Sequence, residues 1–162
     1  EAMQGNILSP ITLSLFYATD FADQIENTIV PALKSGFIVL ADRYIYTLMA
    51  RDIVRGGNKE WLQKLYGDIA LKPDAVFYMQ CAPRFLIDRN FSKSNSLDFW
   101  ESGMDIRLSR DIFDSFLKYQ RKMRAEFNLF HDEYNFEIIN GNRSPRAISL
   151  DLQRKLEEIL EE

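Results

Sequence analysis

Three consecutive residues, Asp42, Arg43 and Tyr44, place a carboxylate, a guanidinium and a phenol directly after the apolar run 37–41. The planar fork of arginine makes bidentate contacts to phosphate oxygens, and aspartate holds Mg²⁺ directly or through water. The chemistry this trio suits is the handling of a phosphate and its metal ion. Five apolar residues bounded by Gly36 predict a fully buried parallel strand over 37–41. Such a strand delivers the residues after it to the carboxyl edge of a sheet, where open α/β folds bind ligands. The plain alternative is a surface ion pair at a strand end.

The surrounding chain supplies the elements that would hold this trio. Ser9-Pro10 is a helix start, and Ile11, Leu15, Ala18, Ala22, Ile25 and Ile29 recur at spacings of three and four. The helix is expected to end near Pro31-Ala32-Leu33, with Gly36 as its stop. A second helix follows Tyr44 to about Arg55 and breaks at Gly56-Gly57-Asn58, and a third spans 59–69. A buried strand is expected over 75–79, then a helix from Pro83 to Arg89. Residues 90–107 change character: 90–96 are polar and small, without period, and read as a mobile loop, and Phe99 and Trp100 after them either close on a ligand or pack the segment to the core. A long helix over 109–133, a strand over 135–139 and a last helix over 145–160 complete the chain. Three short strands in parallel order, joined by helical segments, predict one α/β domain.

Composition narrows the function classes. The 162 residues suffice for one domain, and 46% hydrophobic with 27% charged is ordinary globular usage. A net charge of −4 excludes a global electrostatic footprint for duplex nucleic acid. The lone Cys81 cannot form an intramolecular disulfide and is expected to pack, and the lone His131 excludes a two-histidine metal site within the chain. No apolar run approaches the roughly 20 residues of a membrane span, and the cytoplasm is the expected compartment. Neither G-x-G-x-x-G nor G-x-x-x-x-G-K-[ST] occurs.

The order of these pieces resembles thymidylate kinase. The resemblance rests on Leu15-Phe16-Tyr17-Ala18-Thr19-Asp20-Phe21-Ala22, Pro31-Ala32-Leu33, Asp42-Arg43-Tyr44 and Leu71-Lys72-Pro73-Asp74, in the family's order and spacing. It implies a three-layer P-loop kinase-like fold, a parallel sheet flanked by helices. In that fold the phosphate-loop strand lies between the strands corresponding to 37–41 and 75–79. The expectation is therefore an incomplete sheet in 1–162, its central phosphate-loop strand and second strand either carried by roughly 50–60 residues before Glu1 as a strand–loop–helix–strand unit or supplied from another chain. Residues 1–162 would be about the last three-quarters of one domain, with 90–107 as its LID-like region.

The resemblance also implies roles. Asp42 would stand near Mg²⁺ and the acceptor phosphate, Arg43 would grip that phosphate, and Tyr44 would pack against the sugar. Tyr17 would stack on the base, and Thr47 would lie near its edge. Arg89 and Lys93 would meet the ATP phosphates, Arg89 in a catalytic role, and Asn142 and Arg143 would form the adenine-side loop. Solvated helix-end cations are the plain alternative for Arg89 and Arg143. Two positions depart from the family pattern: Phe21 stands where an arginine commonly reads the thymine edge, and Arg51 where an aromatic often lines the base pocket. Both point to a rebuilt acceptor pocket. The expected activity is ATP- and Mg²⁺-dependent phosphorylation of a nucleoside monophosphate, with thymidylate the first acceptor. The alternatives are a kinase for a different small acceptor and a non-catalytic nucleotide-binding domain. Residues 1–162 alone are expected to be inactive. A homodimer through the long helices 11–30 and 109–133 is expected by analogy.

Overall fold

The computed structural model describes residues 8–83, 85–87, 89 and 96–161. The chain divides into two compact units, Glu1–Pro73 and Asp74–Glu162.

In the first unit, helix α1 (Pro10–Gln24) starts where the sequence says it should. The Ser9 hydroxyl accepts the Thr12 N–H at 3.2 Å, and Pro10 sits in the first turn with no N–H to lose. The helix runs on through a π-helical turn, Ile25–Ile29, into α2 (Val30–Lys34). The wide turn lies just before Pro31, whose ring crowds the preceding turn and whose nitrogen cannot donate; widening the helix there relieves both conflicts. Gly36, at φ +79°, ends it, and the Phe37 N–H closes back on the Ala32 carbonyl at 3.1 Å. Helices α3 (Ile45–Val54) and α4 (Lys59–Gly67) follow, with Asn58 capping α4. The core draws Ala18, Phe21 and Ile25 from the first helical run, Ile45, Tyr46, Met49 and Ala50 from α3, and Leu62 and Tyr66 from α4. The buried stripe of α1 is therefore Ser14-Ala18-Phe21-Ile25, while Ile11 and Leu15 of the expected stripe are exposed.

Residues 37–41 do not form the expected buried strand. They belong to no ladder among the described residues, and Phe37, Ile38 and Leu40 are 68%, 65% and 74% exposed. A parallel strand exists only through hydrogen-bonded neighbours and covered faces. The apolar run identifies a segment suited to that place, and no described strand pairs with it.

In the second unit, β1 (Phe77–Gln80) and β2 (Glu137–Asn140) pair in parallel, in register from Phe77 opposite Glu137 to Gln80 opposite Asn140. Helix α5 (Ile112–Tyr134) lies between them in the chain, capped by the Asp111 carboxylate and ended by Asn135 at φ +55°. Its face of Phe116, Tyr119, Met123 and Phe130 is buried, and Phe127 stacks on Tyr78 of β1 at 5.0 Å. Helix α6 (Pro145–Glu161) follows β2 and is tied to it by the Lys155–Glu137 ion pair. Pro83, Phe85, Leu86, Ile87 and Arg89 are helical, as expected.

The latter part of 90–107 is fixed. Asp98 accepts the N–H groups of Trp100 and Glu101, each at 2.8 Å, and Ser115 of α5 donates to the Ser102 carbonyl at 2.7 Å. Gly103 lies against Tyr119 so closely that a Cβ would come within 2.8 Å of the ring. Backbone groups, more than Phe99, which is exposed, dock this segment on α5. Residues 90–95 lie outside those described. The described chain is thus a mostly helical α/β fold with a small parallel sheet.

Candidate functional site

Two groups of candidate residues form, one in each unit. In the first, Asp42 and Arg43 are exposed on the turn between the apolar run and α3. Arg43 has φ +68°. A non-glycine residue in this left-handed region costs about 1–2 kcal/mol and persists where its surroundings impose it. Tyr44 supplies that constraint. Its hydroxyl donates to the Leu71 carbonyl at 2.8 Å, its ring meets Phe21 edge-on at 5.1 Å, and its carbonyl accepts the Thr47 N–H at 3.0 Å to open α3. Burial pushes the Tyr44 phenol up.

Phe21 is 6% exposed and also lies 6.1 Å from Tyr66, so its ring belongs to the core that carries Tyr44. Tyr17, Thr47 and Arg51 are half-buried, the last two one turn apart on α3. Beside Tyr17, the exposed ring is Phe16. Sequence reasoning missed Ser14, Asp52 and Tyr66. Ser14 donates to the Asp52 carboxylate at 2.7 Å. Burial raises the Asp52 carboxyl, opposed by the Ser14 hydrogen bond and by Arg55 and Arg51. Tyr66 is fully buried, its hydroxyl has no partner among the described residues, and burial with Asp52 and Tyr17 nearby pushes it far up. The available signal was Ser14's place in the buried stripe, which the apolar count skipped.

In the second unit the strand ends are knitted together. The Gly141 N–H donates to the Gln80 carbonyl at 2.9 Å, and a Cβ on Gly141 would come within 3.0 Å of that oxygen. Asn142 accepts the Ala82 N–H at 3.0 Å and the Cys81 thiol at 3.4 Å. Arg89 donates to the Arg143 carbonyl at 3.3 Å. Arg143 itself is committed to Asp151 at 2.5 Å, and this bond, with Arg154, holds the Asp151 carboxyl below the usual range. The structure therefore brings Arg89, Asn142 and Arg143 together. Lys93 lies outside the described residues. Asp42 and Arg43 lie in one unit and Arg89 in the other.

No group of three or more His, Cys, Asp or Glu side chains among the described residues could cage a metal. An exposed single carboxylate such as Asp42 still fits Mg²⁺, which keeps several waters and is bound through one or two carboxylates plus substrate phosphates. No helix among the described residues is long and apolar enough to cross a membrane.

In the second unit a parallel strand pair thus ends beside Arg89, Asn142 and Arg143. A family model described as thymidylate kinase matches residues 1–151. A probable thymidylate kinase 2 of Saccharolobus solfataricus is 38% identical over 162 residues, covering 99% of this chain and 76% of that protein. A thymidylate kinase of Brachyspira hyodysenteriae is 32% identical over 155 residues, covering 93% of this chain and 74% of its own. A probable thymidylate kinase of Pyrococcus abyssi is 26% identical over 151 residues, covering 93% and 66%. The chain belongs to the thymidylate kinase family.

Proposed function

We propose that the protein transfers the γ-phosphoryl group of ATP to thymidylate, giving thymidine diphosphate and ADP. Family membership supports the reaction, and the observation that carries the site is the exposed Asp42-Arg43 pair on a turn strained at Arg43. A strained backbone position is where functional side chains are often held, and an exposed arginine on such a turn suits an acceptor-phosphate clamp.

Arg43 holds the acceptor phosphate, and one of its oxygens attacks the γ-phosphorus of ATP in line. The bond between γ-phosphorus and the β–γ bridging oxygen breaks, and ADP leaves with that oxygen. A phosphate dianion needs no general base, so the work is positioning and charge neutralisation. Mg²⁺, held at Asp42 directly or through water, would neutralise phosphate charge when bound. Tyr44 and Tyr17 flank the sugar and base, with Thr47 and Arg51 along the base edge. Arg89 serves the ATP side with Asn142, whereas Arg143, paired to Asp151, shapes the adenine-side loop. Residues 1–162 contain no G-x-x-x-x-G-K-[ST], so this reading needs a phosphate loop from other residues.

A different acceptor is the second reading, favoured by the burial of Phe21 at a position where the family commonly places a base-reading arginine. Both readings are tested by offering the full natural protein a panel of nucleoside monophosphates with ATP and Mg²⁺. Thymidylate as best acceptor supports the first. Another monophosphate as best acceptor supports the second, and no diphosphate from any of them overturns both.

A further inference from the structure

Ser14 and Asp52, 38 residues apart, meet through a 2.7 Å hydrogen bond inside the first unit. Ser14 is 3% exposed and occupies the first place in the buried stripe of α1. A hydroxyl has one proton, and Ser14 has two acceptors in reach, Asp52 Oδ2 and the Pro10 carbonyl at 3.0 Å. When Asp52 is ionised it takes the serine proton. When Asp52 is protonated it donates to Ser14 Oγ, and Ser14 turns its own proton to Pro10. The contact survives either way. The charged and titratable groups facing it are Arg51 on α3, Arg55 just after it and Tyr66 on α4, with Tyr17 of α1 acting on Tyr66.

A polar pair between two otherwise apolar helix faces costs desolvation that an aliphatic pair would avoid. What it adds is direction, because a hydrogen bond fixes one register of α1 against α3. The residues assigned to the acceptor base sit on either side of it: Tyr17 three residues after Ser14, Arg51 directly before Asp52 and Thr47 a turn earlier. We propose that the Ser14–Asp52 bond positions these two helices so that Tyr17 on one and Thr47 and Arg51 on the other meet the acceptor base, Asp52 itself not touching it. This inference rests on the acceptor-side assignment proposed above.

Steady-state kinetics of the full natural protein test it. Ser14→Ala and Asp52→Ala are expected to raise KM for the preferred monophosphate about tenfold, the equivalent of one lost hydrogen bond of this kind. The KM for ATP should stay within about twofold, since only acceptor binding is disturbed. Asp52→Asn can donate to Ser14 Oγ as the protonated acid does, and is expected to restore the acceptor KM to within about threefold of wild type. A purely structural pair would lower the active fraction and leave both KM values alone. An unchanged acceptor KM in Ser14→Ala, a parallel rise in both KM values, or Asp52→Asn as damaging as Asp52→Ala overturns the inference. If Asp52→Ala fails to fold, Ser14→Ala, which removes a single oxygen, decides. A wild-type protein that phosphorylates no monophosphate removes the parent reading and this inference with it. An active wild type with an unmoved Ser14→Ala removes this inference alone.

Discussion

The turn at 42–44 and the strand ends at 80–82 and 140–143 are built in opposite ways. Each follows an apolar run, and each carries groups suited to phosphate. At 140–143 the backbone is locked by a parallel ladder, by Gly141 against Gln80 and by the Asn142 cap on Ala82. At 42–44 no described strand supports the approach, and the geometry is imposed from the helix side through Tyr44. Rigidity in one region comes from the sheet, and in the other from an aromatic anchor beneath a strained arginine. Substitutions should therefore fail differently in the two places.

The largest difference is expected at Arg43. Arg43→Ala should lower kcat/KM by about 10²–10³, the usual loss when one donor to a phosphate or oxyanion is removed. Arg43→Gly should be as inactive and yet more stable than Arg43→Ala by about 1 kcal/mol, because glycine accepts the left-handed backbone without strain. Urea denaturation of the two variants, read beside their kinetics, checks this. Equal stability would mean that the turn stores no strain.

At the other region the expected damage is to the fold first. Gly141→Ala drives a Cβ against the Gln80 carbonyl and should cost about 1–3 kcal/mol, measured as a lower denaturation midpoint. Asn142→Ala removes the acceptor for Ala82 N–H and should cost about 1 kcal/mol, with a higher KM for ATP and an unchanged acceptor KM. If Asn142→Ala moved the acceptor KM instead, the two regions would not divide the work as proposed.

Much of this contrast was legible in the sequence, and the illegible part has a physical cause. Ser9-Pro10, Gly36 and Asn58 mark helix ends by local chemistry, and α1, α3, α4, α5 and α6 lie close to their expected places, whereas Asn135, expected to open a strand, instead ends α5 in the left-handed region. Apolar runs mark strands only up to the question of partners. The run at 75–79 has one, in Glu137–Asn140, and the run at 37–41 has none among the described residues. The buried stripe of α1 was misplaced because one of its members, Ser14, is polar and satisfied by a residue 38 positions away. Among the candidate site residues, the exposure of Asp42 and Arg43 on the turn after the apolar run agrees with their type and position. That Phe21 is core, and that Arg143 is spent on Asp151, required neighbours that sequence spacing does not supply.

The smallest expected effect concerns pH. Burial raises the Asp52 carboxyl in the folded state above its unfolded value, so the fold favours the neutral acid. That contribution is whole below the ordinary carboxyl range and is lost as pH rises through the raised folded value. Asp52→Asn cannot lose it. The melting temperature of Asp52→Asn minus that of wild type should therefore grow from about pH 4 to about pH 7. A difference that shrinks over this range would place the carboxylate, not the acid, as the favoured form.

The central claim is that Arg43, held in a left-handed turn by Tyr44, clamps the acceptor phosphate of a thymidylate kinase. The most direct measurement is diphosphate formation by the full natural protein, wild type and Arg43→Ala, from ATP, Mg²⁺ and thymidylate. Thymidine diphosphate is expected from the wild type, with the variant's kcat/KM down by about 10²–10³. Turnover in the variant equal to that of the wild type would contradict the account.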